Sequence, residues 1–326
     1  MTIIDTLVQN HPVRKTKAQK AAFREWFAKE AAGMGYTADV HTKGSSNNIV
    51  IGRPEAAAVT YTAHYDTPPV MPFPNFITPK NVLCYILYQL VLVLGFFVLA
   101  FVVGFLATRL TGIPELGGFA GFVSVYVLLG LMLFGPANKN CVNDNTSGVA
   151  AVMEIMSRLP ESERGKVAFI LFDNKEKGML GSSAYASQHK AFKKNGLLIN
   201  LDCVGDGEHI FFFTGKKTRE LPQYALLCET VEAQEGRIPH MEKMESAIYP
   251  SDQAQFTHGI AVCACNQMKV IGYYVDKIHT PKDTVCEQAN MDFLGESLTR
   301  FACALEAPAA EPAAAEAPAA KKKRNG

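Results

Sequence analysis

Two long apolar runs dominate the hydrophobic pattern of the chain. No charged residue occurs from Asn81 to Thr108 or from Leu116 to Asn138. About 20 apolar residues cross the ~30 Å hydrocarbon core of a bilayer, and both runs reach that length. Arg109 and Glu115 bound a very short connection, so the pattern predicts a two-helix transmembrane hairpin over residues 81–138. Two buried core helices are the alternative, although core helices of this length normally keep a polar stripe.

Outside the hairpin, segments with helical periodicity alternate with short apolar strands. This alternation predicts an α/β fold with a mixed, mostly parallel central sheet flanked by helices. A hairpin returns the chain to the side it left, so residues 1–80 and 139–305 can form one discontinuous domain. Predicted helices cover residues 15–33, 145–159, about 221–234 and 291–305, and the predicted strands are NNIVIG, AVTYTA, KVAFILF, LLINLD, HIFFFTG and IAVCAC.

Composition narrows the class of protein and its compartment. A formal net charge of +1 gives no reason to expect nucleic-acid binding. The eight cysteines are scattered without a CxxC pair, which excludes a zinc ribbon and indicates reduced thiols. We expect no signal peptide at the N-terminus. Residues 306–326 are an Ala/Pro/Glu-rich segment that we expect to be disordered.

The membrane orientation follows from the few charges around the hairpin. Lys80 and Lys139 flank it on the domain side, whereas only Arg109 lies in the connection. This small excess of positive charge, together with the free cysteines, places the domain in the cytoplasm.

Five short polar stretches lie at the ends of apolar segments, where open α/β folds keep their sites. Each stretch alone is typical of a helix cap or a surface loop, but five in this order are unlikely to arise by chance. Together they supply the imidazoles and carboxylates that Zn²⁺ accepts as ligands. The stretches are AHYD (His64, Asp66), VNDNTSG (Asp144), NKEKG (Glu176), NLDCVG (Asp202) and KIHTPKDT (His279).

These stretches resemble the motifs of the co-catalytic zinc aminopeptidases, metallopeptidase family twenty-eight. That family also contains glutamate carboxypeptidases and glutaminyl cyclases. The resemblance covers roughly residues 10–80 and 139–305, and the hairpin is an insertion between the first and second motifs. It implies a membrane-anchored aminopeptidase that acts on peptide substrates.

The resemblance also implies a role for each polar residue. Asp144 would bridge two Zn²⁺ ions, and the Asp144–Asn145 peptide bond would be cis. Asp66 would orient His64 through a contact behind the metal. The remaining ligands would be His64 and Asp202 for one ion, and Glu176 and His279 for the other.

Lys175 departs from the family pattern. Catalytic members carry two glutamates in this turn, of which the first is the general base and the second a metal ligand. The G-M-L-G-S that follows aligns Glu176 with the ligand, so Lys175 occupies the base position. A protonated lysine cannot accept a proton, and general base catalysis is worth about 10²–10⁴-fold. A depressed lysine pKa, a side chain directed to solvent, and a shifted Asp173 acting as base are the alternatives.

Two functional interpretations therefore remain. One is an aminopeptidase, with reduced activity possible. The other is an impaired relative that binds peptides or supports a membrane partner. A glutaminyl cyclase is less favoured because all five ligands are present.

The stretch SDQAQFTHGI resembles the family's serine–aspartate loop beside the substrate pocket. Gln253 stands where the family frequently has histidine. We expect Tyr249 and Phe256 to form walls of the substrate pocket.

Overall fold

A mixed sheet forms the centre of the molecule in the computed structural model, which describes residues 1–234 and 236–306. Within these residues the strand order is β1-β2-β4-β3-β5-β8-β6-β7, with β9 paired to β8. The neighbouring strands β4, β3, β5 and β8 run parallel to one another. The antiparallel pairs are β1 with β2, β2 with β4, β6 with β8, and β9 with β8. The strands are β1 (Ala38–Lys43), β2 (Ser46–Ile51), β3 (Val59–His64), β4 (Val167–Phe172), β5 (Leu197–Leu201), β6 (His209–Thr214), β7 (Ile238–Lys243), β8 (His258–Met268) and β9 (Gly272–Tyr274).

Helices cover both faces of this sheet, so the predicted fold class is confirmed. Every residue of β3, β4, β5 and β6 is buried, as expected for strands covered on two sides. The largest apolar cluster joins α2, α5 and α10 to the sheet. The helices are α1 (Ile3–Asn10), α2 (Lys17–Gly33), α3 (Val82–Thr111), α4 (Pro114–Phe134), α5 (Gly148–Arg158), α6 (Leu180–Gln188), α7 (Lys190–Asn195), α8 (Lys216–Arg219), α9 (Pro222–Thr230) and α10 (Gln288–Ala304).

Seven helices and strands of the domain were not predicted, and each lacks a long apolar run: α1, β1, α6, α7, α8, β7 and β9. The strands β1 and β7 lie at the two edges of the sheet, where most of their side chains are partly or fully exposed. Helix α1 has only two buried residues and begins at a capping box formed by Thr2 and Asp5. Edge strands and short surface helices bury too little to leave a clear hydrophobic period.

The two apolar runs form an antiparallel hairpin, α3 and α4, that projects from the domain. No residue of α3 is buried, and only Gly117 and Gly121 of α4 are buried. The alternative of buried core helices is therefore wrong. Both helices are long and apolar enough to cross a membrane, with window hydropathies of 3.0 and 2.1.

Both ends of the hairpin are attached to the domain by hydrogen bonds. Val70 N–H donates to the Pro136 carbonyl at 2.8 Å, and Lys15 Nζ donates to the carbonyl of Leu133 at 3.3 Å. At the other end, Asn81 caps α3 and donates to the carbonyl of Ile271 at 3.0 Å. The expected disordered tail lies, from residue 307 onward, outside the described residues.

Candidate active site

The five predicted ligands meet at the carboxyl ends of the central parallel strands. His64 is the last residue of β3, and Asp202 directly follows its parallel neighbour β5. Glu176 lies in the turn after β4, which pairs with the other side of β3. Asp144 lies just before α5, and His279 lies in the loop between β9 and α10. Parallel strands have their carboxyl ends on the same side of the sheet, which brings these residues together although they are distant in the chain.

The ligand atoms form two groups that share Asp144. His64 Nε2 lies 3.2 Å from Asp144 Oδ1 and 3.5 Å from Asp202 Oδ1. His279 Nε2 lies 3.0 Å from Asp144 Oδ2 and 3.3 Å from Glu176 Oε2. Each oxygen of Asp144 thus faces one group, as a bridging carboxylate must.

Buried atoms without hydrogen-bond partners mark the centre of this cluster. His64 Nε2, Asp144 Oδ2 and His279 Nε2 are all buried, and none makes a hydrogen bond of suitable angle, although His279 Nε2 lies 3.0 Å from Asp144 Oδ2. Leaving such polar groups unpaired in the interior is costly, and a metal ion is the usual partner of converging imidazoles and carboxylates. The residues therefore fit a divalent cation in each group.

The backbone around Asp144 is held by a carboxylate that the sequence analysis missed. Asp283 accepts hydrogen bonds from the N–H groups of Asn143 at 2.7 Å and Asp144 at 3.0 Å. Burial, together with the charge of Asp144, raises the pKa of Asp283 to about 7. The Asp144–Asn145 peptide bond is cis, which confirms that expectation. Asp283 lies within the stretch KIHTPKDT, so its closeness in sequence to His279 was the signal that could have identified it as part of the site.

Asp66 connects His64 to the turn after β4. Its Oδ1 accepts from the Lys175 N–H at 3.0 Å, and its Oδ2 accepts from the Glu176 N–H at 3.1 Å. His64 Nδ1 lies 3.1 Å from the carbonyl oxygen of Asp66 and 3.5 Å from its Oδ1. Asp66 thus contacts the predicted ligand His64 mainly through its backbone carbonyl, and its side chain holds the turn that carries Glu176.

Lys175 points into the cluster, not into solvent. Its Nζ lies 3.1 Å from Glu176 Oε1, 3.4 Å from Asp144 Oδ1 and 3.4 Å from Asp202 Oδ2. Burial by itself would lower the pKa of Lys175, but these three carboxylates raise it well above its ordinary value. The alternative of a solvent-directed side chain is therefore wrong, and in the metal-free protein the direction of the pKa shift is opposite to the depressed pKa of the other alternative.

The ammonium group of Lys175 also shifts the pKa of two of the carboxylates that surround it. Burial would raise the pKa of Asp144, but Lys175 and the two histidines hold it well below its ordinary value. The pKa of Asp202 is lowered in the same way, against burial, by Lys175 and His64. Asp144 and Asp202 are thus held ionised, as metal ligands need to be.

Asp173 is not placed to act as the base. Its Oδ1 pairs with Lys20 Nζ at 2.6 Å, and its Oδ2 accepts from the Asn47 N–H at 3.0 Å. Both oxygens are thus engaged on the side of the turn occupied by α2 and β2. This pairing removes Asp173 as a substitute for the missing glutamate.

A cavity of about 130 Å³ adjoins the cluster. Tyr249 lines it and donates from its hydroxyl to the Asp202 carbonyl at 2.8 Å. Gln253 supports this wall from behind, donating to the carbonyl of Tyr249 at 2.9 Å. Tyr85, from the first turn of α3, also lines the cavity. The sequence analysis missed Tyr85 because no local pattern shows that an apolar helix begins beside the site.

Phe256 requires a correction to the expected pocket. Its ring packs against Phe172 at 5.9 Å and Phe192 at 5.5 Å, in an apolar cluster beneath α6 and α7. Among the described residues, those lining the cavity do not include Phe256. Its aromatic side chain fills the core on the other side of the loop that carries Gln253.

Comparisons with known proteins bear on the family and the fold of the chain. A family model described as peptidase family M28 matches residues 124–299, which is more than half of the chain. No curated protein matches the chain. The fold is similar to that of Porphyromonas gingivalis glutaminyl cyclase, with a TM-score of 0.56, 16% identity, and coverage of 92% of this chain and 94% of that chain. It is also similar to the Legionella pneumophila LapA aminopeptidase, with a TM-score of 0.56, 14% identity, and coverage of 95% and 69%.

Proposed function

Since the chain belongs to peptidase family M28, we propose that it is a membrane-anchored, zinc-dependent aminopeptidase-like hydrolase that removes N-terminal residues from peptides. The observation that carries the proposal is the pair of ligand groups that share Asp144 beside a small cavity. In this proposal His64, Asp144 and Asp202 hold one zinc ion, and Asp144, Glu176 and His279 hold a second. When bound, the two ions supply Lewis-acid activation of water and of the peptide carbonyl.

The size of the cavity favours an exopeptidase. An apolar cavity of about 150 Å³ holds a molecule the size of benzene. The cavity of about 130 Å³ therefore has room for one medium-sized side chain. Tyr249 forms one wall, and its hydroxyl is already engaged with the Asp202 carbonyl, so its ring presents a fixed apolar surface. This volume suits recognition of a single terminal residue.

The exposed hairpin supports membrane anchoring. Large side chains such as Leu94, Phe101 and Phe119 are each more than 60% exposed, and exposed apolar residues continue along both helices. Soluble monomers rarely expose an apolar surface this extensive. We propose residues 81–138 as the transmembrane hairpin, and residues 1–80 and 139–305 as one peptidase-like domain on the cytoplasmic side.

A second candidate is a catalytically impaired relative that binds peptides or supports a membrane partner. One observation favours it: the ammonium group of Lys175 lies among the three ligand carboxylates. A cation in this place opposes metal binding and offers no acceptor for a proton. The two candidates differ in turnover, not in fold.

Metal content and substrate turnover test the proposal together. Purified, zinc-supplemented protein should hold close to two zinc ions by elemental analysis. Asp144→Ala should lose both, because Asp144 belongs to both groups, whereas Asp39→Ala, at an exposed position of β1, should keep them. One ion or fewer in well-folded wild-type protein would contradict the two-metal claim.

A panel of aminoacyl amides and an N-terminal glutaminyl peptide should then be assayed with and without Zn²⁺. Release of the first residue supports the aminopeptidase. Loss of ammonia from the glutaminyl peptide, without release of a residue, would instead indicate a cyclase. Zinc-dependent peptide binding without either reaction supports the impaired relative.

A further inference from the structure

One wall of the cavity comes from the hairpin region and not from the sheet. Asn75 and Ile77, in the segment that leads into α3, line the same cavity as Lys175 and His279. Tyr85, the fourth residue of α3, completes this wall. The insertion therefore contributes directly to the candidate site, in addition to providing an apolar surface.

Hydrogen bonds attach the first turns of α3 to the domain. Asn81 Oδ1 accepts from the Cys84 N–H at 3.0 Å, and Asn81 Nδ2 donates to the Ile271 carbonyl at 3.0 Å. One turn further on, the Tyr88 hydroxyl donates to the Pro74 carbonyl at 2.6 Å. These contacts on both sides of Tyr85 fix its position against the cavity.

The packing of the hairpin shows where Tyr85 lies along the membrane axis. A Cβ on Gly121 would lie 2.7 Å from the Ala100 carbonyl oxygen, so these two residues are level with each other. Helix α4 ends at Phe134, about 13 residues or 20 Å beyond Gly121. The same distance back along α3 from Ala100 reaches Leu87, which is therefore level with the end of α4.

Tyr85 thus lies just on the domain side of this level. Tyrosine is enriched at the membrane–water interface, and exposed apolar side chains already begin at Val82 and Leu83. If the hairpin spans the bilayer, the cavity opens beside the bilayer surface.

We infer that the hairpin is part of the substrate site, with Tyr85 as a specificity-determining residue, and that the cavity receives the N-terminus of a polypeptide bound at the membrane surface. This inference rests on the proposed peptidase function and names the substrate class of the same site. A freely soluble peptide can also enter, but without the local concentration that a shared bilayer provides.

The reach of a tethered substrate tests the position of the cavity. The full chain is placed in nanodiscs with Zn²⁺ and peptides that are anchored in the bilayer by a C-terminal acyl chain. Spacers of about 5 or about 20 residues separate the scissile N-terminus from the anchor. An extended spacer of five residues reaches only about 17 Å, whereas a domain of this size is about 45 Å across. Only a cavity near the bilayer is within reach of the short spacer.

We expect kcat/KM for the two anchored peptides to agree within about threefold, and each to exceed that of the soluble peptide at least about tenfold. A short-spacer peptide cleaved less than one tenth as efficiently as the long-spacer peptide overturns the inference. If none of the three peptides is cleaved, the result counts against the proposed function. Cleavage of the soluble peptide tests that function by itself, without the membrane.

Substitution of Tyr85 tests the wall. Tyr85→Ala should raise KM for the short-spacer peptide about tenfold and change kcat less than twofold, because Tyr85 shapes the cavity without belonging to either ligand group. Tyr85→Phe should retain the wild-type KM. Tyr126→Ala is the matched control, since Tyr126 is 60% exposed on α4 and does not line the cavity. An unchanged KM in Tyr85→Ala contradicts the assigned role.

A photocrosslink gives a readout that needs no turnover. The photoreactive residue p-benzoylphenylalanine, incorporated in place of Tyr85, should crosslink to the short-spacer peptide. The same residue in place of Tyr126 should not. Absence of a crosslink from position 85 overturns the inference even if the protein proves to be an impaired relative.

Discussion

At the scale of single residues, Lys175 decides what the candidate site can do. Its ammonium group lies 3.1–3.4 Å from three carboxylates that belong to the two ligand groups. A charge in that position both replaces the expected general base and repels an incoming cation. These two effects are separable, because one depends on a missing acceptor and the other on the positive charge alone.

Lys175→Glu should raise turnover of an aminoacyl substrate by about 10²–10⁴-fold, the contribution of a positioned general base. Lys175→Met removes the charge without adding a base, so it should raise zinc affinity but leave turnover low. Lys177→Glu, at an exposed position of the same turn, controls for charge reversal. Steady-state kinetics and zinc titration measure the two effects. Equal turnover in Lys175→Glu and Lys175→Met would show that another group accepts the proton.

Asp66→Asn should weaken zinc binding about 10–100-fold, as expected when a residue that orients metal ligands is lost. One of the two backbone N–H groups of the turn would then face an amide nitrogen in place of a carboxylate oxygen. Competition with a chelator of known affinity measures the loss. Asp39→Asn serves as the control at an exposed site, and wild-type affinity in Asp66→Asn would refute the positioning role.

Asp252 predicts a pH-dependent stability. Burial raises the pKa of its carboxyl to about 6, above the ordinary 3.8, while the charges of His64 and Lys175 oppose the shift. A carboxyl with a raised pKa stabilises the folded state fully below about pH 3.8, and this contribution is lost as the pH rises through 6. Ionised Asp252 is therefore destabilising at neutral pH.

Asp252→Asn should consequently gain stability relative to the wild type between pH 4 and pH 8, by at most about 3 kcal/mol. Thermal unfolding of chelator-treated protein across this range measures the difference. Asp39→Asn should show no such trend. A constant difference between Asp252→Asn and the wild type would mean that Asp252 does not titrate there.

At the scale of elements, the hairpin depends on close backbone approach. A Cβ at Gly104 would lie 2.9 Å from the Gly117 carbonyl oxygen, and one at Gly121 would lie 2.7 Å from that of Ala100. Larger side chains would force the helices apart. Small residues at helix contacts are the usual means of close packing in membranes.

Gly121→Val should destabilise the hairpin by about 1–3 kcal/mol, the typical cost of overpacking. Gly130→Val, on the same helix, is the matched control, because a Cβ there meets nothing within 4 Å. Thermal unfolding in detergent compares the two variants. If both variants unfold at the same temperature, the glycine contact does not hold the helices together.

At the scale of the whole molecule, the proposed orientation in the membrane can be measured directly. None of the eight cysteines, all within the described residues, forms a disulfide. Thr111→Cys lies at the tip of the hairpin and should react with an impermeant thiol reagent in intact cells. The wild type, whose exposed Cys303 lies in the domain, should react only after lysis. Reaction of Thr111→Cys only after lysis would reverse the proposed topology.

The sequence by itself determined the class of fold, the two apolar helices and the residues of the candidate metal site, whose role as ligands stays a prediction. A strand buried on both faces, such as KVAFILF, and a helix that is apolar on every side, such as α3 or α4, both consist of an unbroken apolar run, which is a local pattern. His64, Asp144 and His279 were predicted because each lies in a short stretch that resembles a family motif. These properties are encoded over a few neighbouring residues.

Only the tertiary structure decided the environment of each residue. The contacts of Lys175 with Asp144 and Asp202 join residues that are far apart in the chain and depend on the order of the strands. Phe256 became a core residue, and Tyr85 a cavity wall, through the packing of distant elements. The pKa of a side chain and the walls of a cavity are set by whatever folding brings within a few ångströms, and no local pattern records that.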